Sequence, residues 1–103
     1  MDYTATEIQL IKVIDKFILE RYGKLLRVPS TRKDTIDGDF DLATEYGGII
    51  FQYSDYYLGV DKGFFNSILG LFDMKPRNLE KLFEKWFYRH FPNSPIISAC
   101  WMG

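Results

Sequence analysis

Hydrophobic positions near the start of the chain recur at three- and four-residue intervals: Leu10, Ile11, Ile14, Phe17, Ile18 and Tyr22. Glu7, Gln9, Lys12, Asp15, Lys16 and Glu20 fill the opposite side, so the spacing predicts an amphipathic helix over 5–22. Thr4 and Glu7 stand at capping-box spacing, and Gly23 is suited to end the helix. Leu79, Leu82, Phe83, Trp86 and Phe87 trace a similar face after Pro76 and Asn78, which predicts a helix over 78–91 stopped by Pro92. Phe65, Ile68, Leu69 and Phe72 mark a shorter helix over 65–72. From Leu25 to about Asp41 the pattern lapses, and the segment with Pro29, Ser30, Thr31 and Gly38 reads as a long loop.

The centre supports two readings. Ile49-Ile50-Phe51-Gln52-Tyr53 and Tyr56-Tyr57-Leu58-Gly59-Val60 are rich in β-branched and aromatic residues, with Ser54-Asp55 placed to turn a hairpin. Gly47, Ile50, Phe51, Ser54 and Leu58 also fit a helical stripe, with Glu45, Gln52 and Asp55 facing away. Propensity leans to strands, while spacing permits a helix.

At 103 residues the chain has room for one domain with one core. Aromatics make up 17% of it, and large rings bury much area per residue, which suits a small ring-rich core. The single cysteine, Cys100, has no internal disulfide partner. Small secreted domains usually carry several bridges, so a reducing, cytoplasmic setting is expected. The sequence shows no signal-peptide pattern and no apolar run of the roughly 20 residues a membrane helix needs.

The net charge of −1 conceals segregation. Arg21, Lys24, Arg27, Arg32 and Lys33 are followed by Asp34, Asp37, Asp39, Asp41, Glu45, Asp55 and Asp61, with no Lys or Arg among the latter stretch. Such a run either neutralises locally or presents an acidic face that steers a basic partner. The small basic cluster and acidic balance argue against direct nucleic-acid binding, which draws on phosphate contacts.

Familiar chemistry fails on specific positions. Asp37-Gly38-Asp39-Phe40-Asp41 opens like a calcium loop, but the sixth and twelfth positions, which need Gly and Glu, are Leu42 and Gly48. With one histidine, His90, and one cysteine, a zinc cluster of the usual kind cannot be assembled. Phosphate-loop and dinucleotide fingerprints are lacking, so neither enzyme nor metal nor cofactor is expected.

Asp39-Phe40-Asp41-Leu42-Ala43-Thr44-Glu45-Tyr46-Gly47, then Leu58-Gly59-Val60-Asp61, then Phe65 and Leu71-Phe72, follow the order of a pattern written D-L-x-I-x-G-D-D-A, F-x-V-D, F and Y-F. In this the chain resembles, over roughly residues 5–90, a family of small bacterial proteins that look like acyl carrier proteins. The resemblance implies an all-α, four-helix acyl-carrier-like bundle with helices at 5–22, 44–58, 65–72 and 78–91. Thr44 stands about where carriers place the serine that bears phosphopantetheine, with Ala43 where an acid is expected, so no prosthetic arm is anticipated. The acidic flank, Asp39, Asp41, Glu45, Asp55 and Asp61, would dock on a protein partner with a basic surface.

The expectation is therefore a non-catalytic carrier-like or adaptor protein, able to hold an acyl-type ligand between its helices. The alternative fold is α+β with a hairpin at 49–60 between two helices. The alternative function is a small inhibitory or immunity-type protein that blocks a nuclease or nucleic-acid-processing partner. The apolar tail at 93–103 is expected either to fold back on the core or to pack on a neighbouring subunit.

Overall fold

The protein is seen in a computed structural model that describes residues 4–31 and 38–102, the last two by backbone alone. The elements run α1 (Ala5–Tyr22), β1 (Leu26–Pro29), β2 (Phe40–Ala43), β3 (Ile49–Ser54), β4 (Tyr57–Asp61), α2 (Lys62–Phe72), α3 (Pro76–His90) and β5 (Ser98–Met102). The strands form one sheet in the order β1-β2-β3-β4-β5. The first four make an antiparallel meander, and β5 joins β4 in parallel after the α2–α3 crossover. Among the described residues, no helix is long and apolar enough to cross a membrane.

This architecture is α+β, and it corrects the all-α four-helix bundle. The helix expected over 44–58 does not form; β3, a two-residue turn and β4 occupy that stretch, as the alternative hairpin required. The reason lies in the period of the buried positions. Phe51 and Tyr53 are both buried, as are Leu58 and Val60, and residues two apart share a face only on a strand. Gly47 also takes a φ of +89°, which an α-helix excludes, in a turn where Thr44 and Gly48 pair backbone to backbone at 2.8 Å. The hairpin turns on Asp55 and Tyr56, both at positive φ, one residue beyond the Ser54-Asp55 anticipated.

The loop expected from Leu25 to Asp41 contains β1 and the start of β2. Arg32, Lys33, Asp34 and Asp37, which figure in the charge pattern and the acidic triplet, lie outside the described residues. The other helices match the periodicity closely, with α1 at the expected bounds and a complete capping box between Thr4 and Glu7.

Cross-strand register explains the core. Phe40 stands opposite Tyr53, which stands opposite Leu58, which stands opposite Ala99; Leu42 stands opposite Phe51, which stands opposite Val60. These residues therefore share one face, and all are buried. The helices pack on that face through rings: Phe51 stacks on Trp86 at 4.6 Å and meets Phe64 and Phe83 edge-on, while Tyr53 stacks on Phe87 at 5.2 Å. The opposite face carries the cross-strand row Val28, Asp41, Gln52, Gly59 and Cys100.

The tail folds back on its own core. The Tyr53 hydroxyl donates to the Pro95 carbonyl at 2.6 Å and the Ile97 amide donates to the Tyr56 carbonyl at 2.7 Å, guiding the chain into β5.

Candidate functional site

Two helices with little sequence in common meet at one carboxylate. On α1, Asp15 follows buried Ile14 and so lies at the margin of the apolar stripe. On α3, Trp86 and His90 are four residues apart and project from the same side. Asp15 Oδ1 accepts from Trp86 Nε1 at 2.8 Å and pairs with His90 Nε2 at 2.9 Å. An ionised carboxylate can only accept, so His90 donates through Nε2 and its Nδ1 is left for other use. The Trp86 and His90 rings lie 4.8 Å apart, and Trp86 is itself held by Phe51 beneath it.

Beside this trio opens a cleft of about 410 Å³, within the range of small-ligand sites. Ile18, Leu42, Trp86 and Phe91 give it apolar walls. Gly23, Lys24 and Leu25 close one side where the chain leaves α1. That exit depends on Gly23, which ends the helix at φ +73°, ψ −153° while its amide still bonds the Leu19 carbonyl. Next to the cleft, Arg27 stands opposite Leu42 in the β1–β2 ladder. Its guanidinium lies 3.9 Å from the centre of the Phe40 ring, which in turn packs on Phe91.

The electrostatics of the helix junction follow from its partners. Burial pushes the Asp15 carboxyl up, but hydrogen bonds from His90 and Trp86 and the charges of His90 and Arg89 outweigh it, so the group sits below its ordinary value. Two turns earlier, Glu7 is hydrogen-bonded by Lys85 of α3 and by the Thr4 amide, and its carboxyl is pulled from 4.5 to about 2. Both groups thus bind protons more weakly folded than unfolded. The stability they add is present above the unfolded values and is lost as pH falls through the folded ones. Thermal melts should show a falling midpoint from pH 4.5 down to about 2, and Glu7→Gln should make that fall shallower. An unchanged slope in Glu7→Gln would remove the Glu7–Lys85 pair as its source.

Of the residues expected to form an acidic docking face, only Asp39 and Asp55 are brought together, at the β3–β4 turn. Asp39 Oδ1 accepts from the Asp55 amide at 3.2 Å and Oδ2 from the Ser54 hydroxyl at 3.4 Å, fastening the hairpin turn. Asp41 is fully buried; Oδ2 accepts from the Thr31 amide and hydroxyl at 3.1 and 3.0 Å, while Oδ1 is buried with no partner among the described residues. Asp61 caps α2 by accepting from the Phe64 amide at 3.0 Å. Asp55 is exposed at one end of the sheet and Glu45 at the other. Thr44 accepts from the Gly48 amide at 3.1 Å within the β2–β3 turn and does not begin a helix. Three of the five acids therefore do structural work, in a turn, an interior and a cap. Among the described residues, no group of three or more His, Cys, Asp and Glu could hold a metal ion.

Neither sequence nor fold matches a known protein family, a curated protein or a solved structure. The cleft has to be read from its own residues. In sequence, Asp15 is one of several polar positions on the first helix and His90 is a lone histidine. The four-residue step from Trp86 to His90 was visible, but their partner lies 75 residues from His90, across a helix pair whose packing no local pattern encodes.

Proposed function

We propose that this protein binds and does not catalyse, and that its working surface is the cleft between α1, α3 and β1–β2, where it holds an apolar molecule bearing a carboxylate. The observation that carries the reading is the pairing of apolar walls with the anchored Asp15–Trp86–His90 trio. The Asp15 carboxylate is hydrogen-bonded inside the trio, whereas Lys24 and Arg27 make no ion pair among the described residues. Lys24 thus offers a positive charge in the cleft lining, which favours an anionic head group above an apolar body. None of the described lining residues carries a hydroxyl or thiol, so covalent catalysis through a serine, threonine or cysteine has no nucleophile there. Docking of a basic partner through the acids has less support, since of the five only Glu45 and Asp55 are exposed.

The test is a fluorescence titration with decanoate and decanol in a Trp101→Phe background, where Trp86 is the sole indole. Decanoate should shift the Trp86 emission saturably and bind about tenfold more tightly than the alcohol, a difference that Lys24→Ala should shrink. No saturable change, or equal binding of acid and alcohol in the unaltered cleft, would refute the reading.

A further inference from the structure

The two edges of the sheet are built differently. At one edge β1 is four residues long and carries Arg27 and Pro29, a charge and a residue without an amide donor, both of which discourage pairing. At the other edge β5 reads Ser98-Ala99-Cys100-Trp101-Met102, with neither charge nor proline. The Ile97 amide points toward β4 and bonds the carbonyl of Tyr56, just before that strand. Backbone groups alternate along a strand, so Ser98 and Cys100 direct theirs to the open side.

Above this edge lies a second, independent pattern. Arg77, Glu80, Lys81 and Glu84 of α3 border a depression of about 420 Å³ over Ile97, Ser98 and Ala99. Along the helix the stripe reads plus, minus, plus, minus. Reversed end to end it reads minus, plus, minus, plus, so it is complementary to itself turned around.

We propose that β5 and the α3 stripe together form a two-fold interface with a second copy of this chain. Two β5 strands pair antiparallel across a two-fold axis perpendicular to the sheet, making one ten-stranded sheet from two five-stranded ones. The same rotation lays the two α3 helices alongside each other in opposite directions. Arg77 then faces Glu84 of the second copy, and Glu80 faces Lys81 of the second copy. A uniformly acidic or basic partner would meet two opposing and two matching charges on this stripe. A second copy meets only opposing ones, and the uncharged strand adds no repulsion.

Sedimentation equilibrium of the full chain tests this. The expected result is a concentration-dependent species of twice the 12.1 kDa chain mass. Arg77→Glu alone and Glu84→Arg alone should each weaken association by about tenfold or more, because each sets like charges opposite one another. The double swap Arg77→Glu/Glu84→Arg should restore it. Glu80→Lys and Lys81→Glu, singly and together, repeat the test at separate positions, so a folding defect in one set cannot mimic the result. A monomer at every concentration overturns the proposal, as does a dimer indifferent to the single reversals or one that the double swaps fail to restore.

Discussion

Phe51→Ala is expected to lower the unfolding free energy by about 3–5 kcal/mol, the usual range for removing a fully buried ring. Phe51 has no exposed surface and stands at the centre of β3, between its register partners Leu42 and Val60. Its ring stacks on Trp86 with planes 17° apart and meets Phe64 of α2 and Phe83 of α3 edge-on at 5.6 and 5.8 Å. One side chain thus joins the sheet to two helices, and truncation leaves a cavity that rigid rings fill poorly. Domains of this size have total stabilities of about 5–15 kcal/mol, so the variant loses roughly a fifth or more of what it has. Urea denaturation followed by circular dichroism measures the loss. A change below about 1 kcal/mol would mean that the ring is not packed as described. Because Phe51 supports Trp86 from below, the same variant should also weaken the decanoate binding proposed for the cleft.

Asp15→Ala is expected to destabilise by about 1–3 kcal/mol through a different mechanism, the orphaning of a donor. Trp86 is 4% exposed, and Asp15 accepts the bond from its indole N–H. The Asp15 carboxylate is itself 40% exposed, so its ion pair with His90 is screened and adds little. Asp15→Asn separates the two contributions. Its amide oxygen still accepts from Trp86, so it should lose less than half as much as alanine does, while the charge on which the acid sensitivity depends is gone. Equal losses for the alanine and asparagine variants would show that charge, not donor satisfaction, holds the trio. Urea denaturation of both variants at neutral pH decides it. With His90 no longer anchored, Asp15→Ala should also blur the position of the one titratable ring at the cleft.

Local patterns carried α1, α2 and α3 well, because each helix announces its buried face at three- and four-residue spacing, with side-chain caps opening α1 and α2 and a proline opening α3. The chain wrote its strands just as plainly, in Phe40-Asp41-Leu42, Phe51-Gln52-Tyr53 and Leu58-Gly59-Val60. What misled was a helical stripe that coincided with them. The resemblance to carrier-like proteins then selected the helix, when two successive glycines and a dense run of β-branched and aromatic residues argued for strands. β1 and β5 were harder to see, since each is short and neither alternates clearly.

The acids show why a site is harder to read than a fold. In sequence, Asp39, Asp41, Glu45, Asp55 and Asp61 form one run of like charge; in the fold they occupy a turn, an interior, two surface ends and a helix cap. Charge runs are local in sequence, whereas the demand for caps and turn acceptors is set by where the backbone leaves amides unbonded.

By itself, then, the sequence determined three amphipathic helices, a ring-rich core and the types of residue available for binding, because these depend on composition and short-range period. The tertiary structure alone decided that Asp15 meets Trp86 and His90, that Lys24 lines the same cleft, and that β5 forms an edge of the sheet. Those are pairings between distant segments, and they follow from how a sheet and its helices share one buried face.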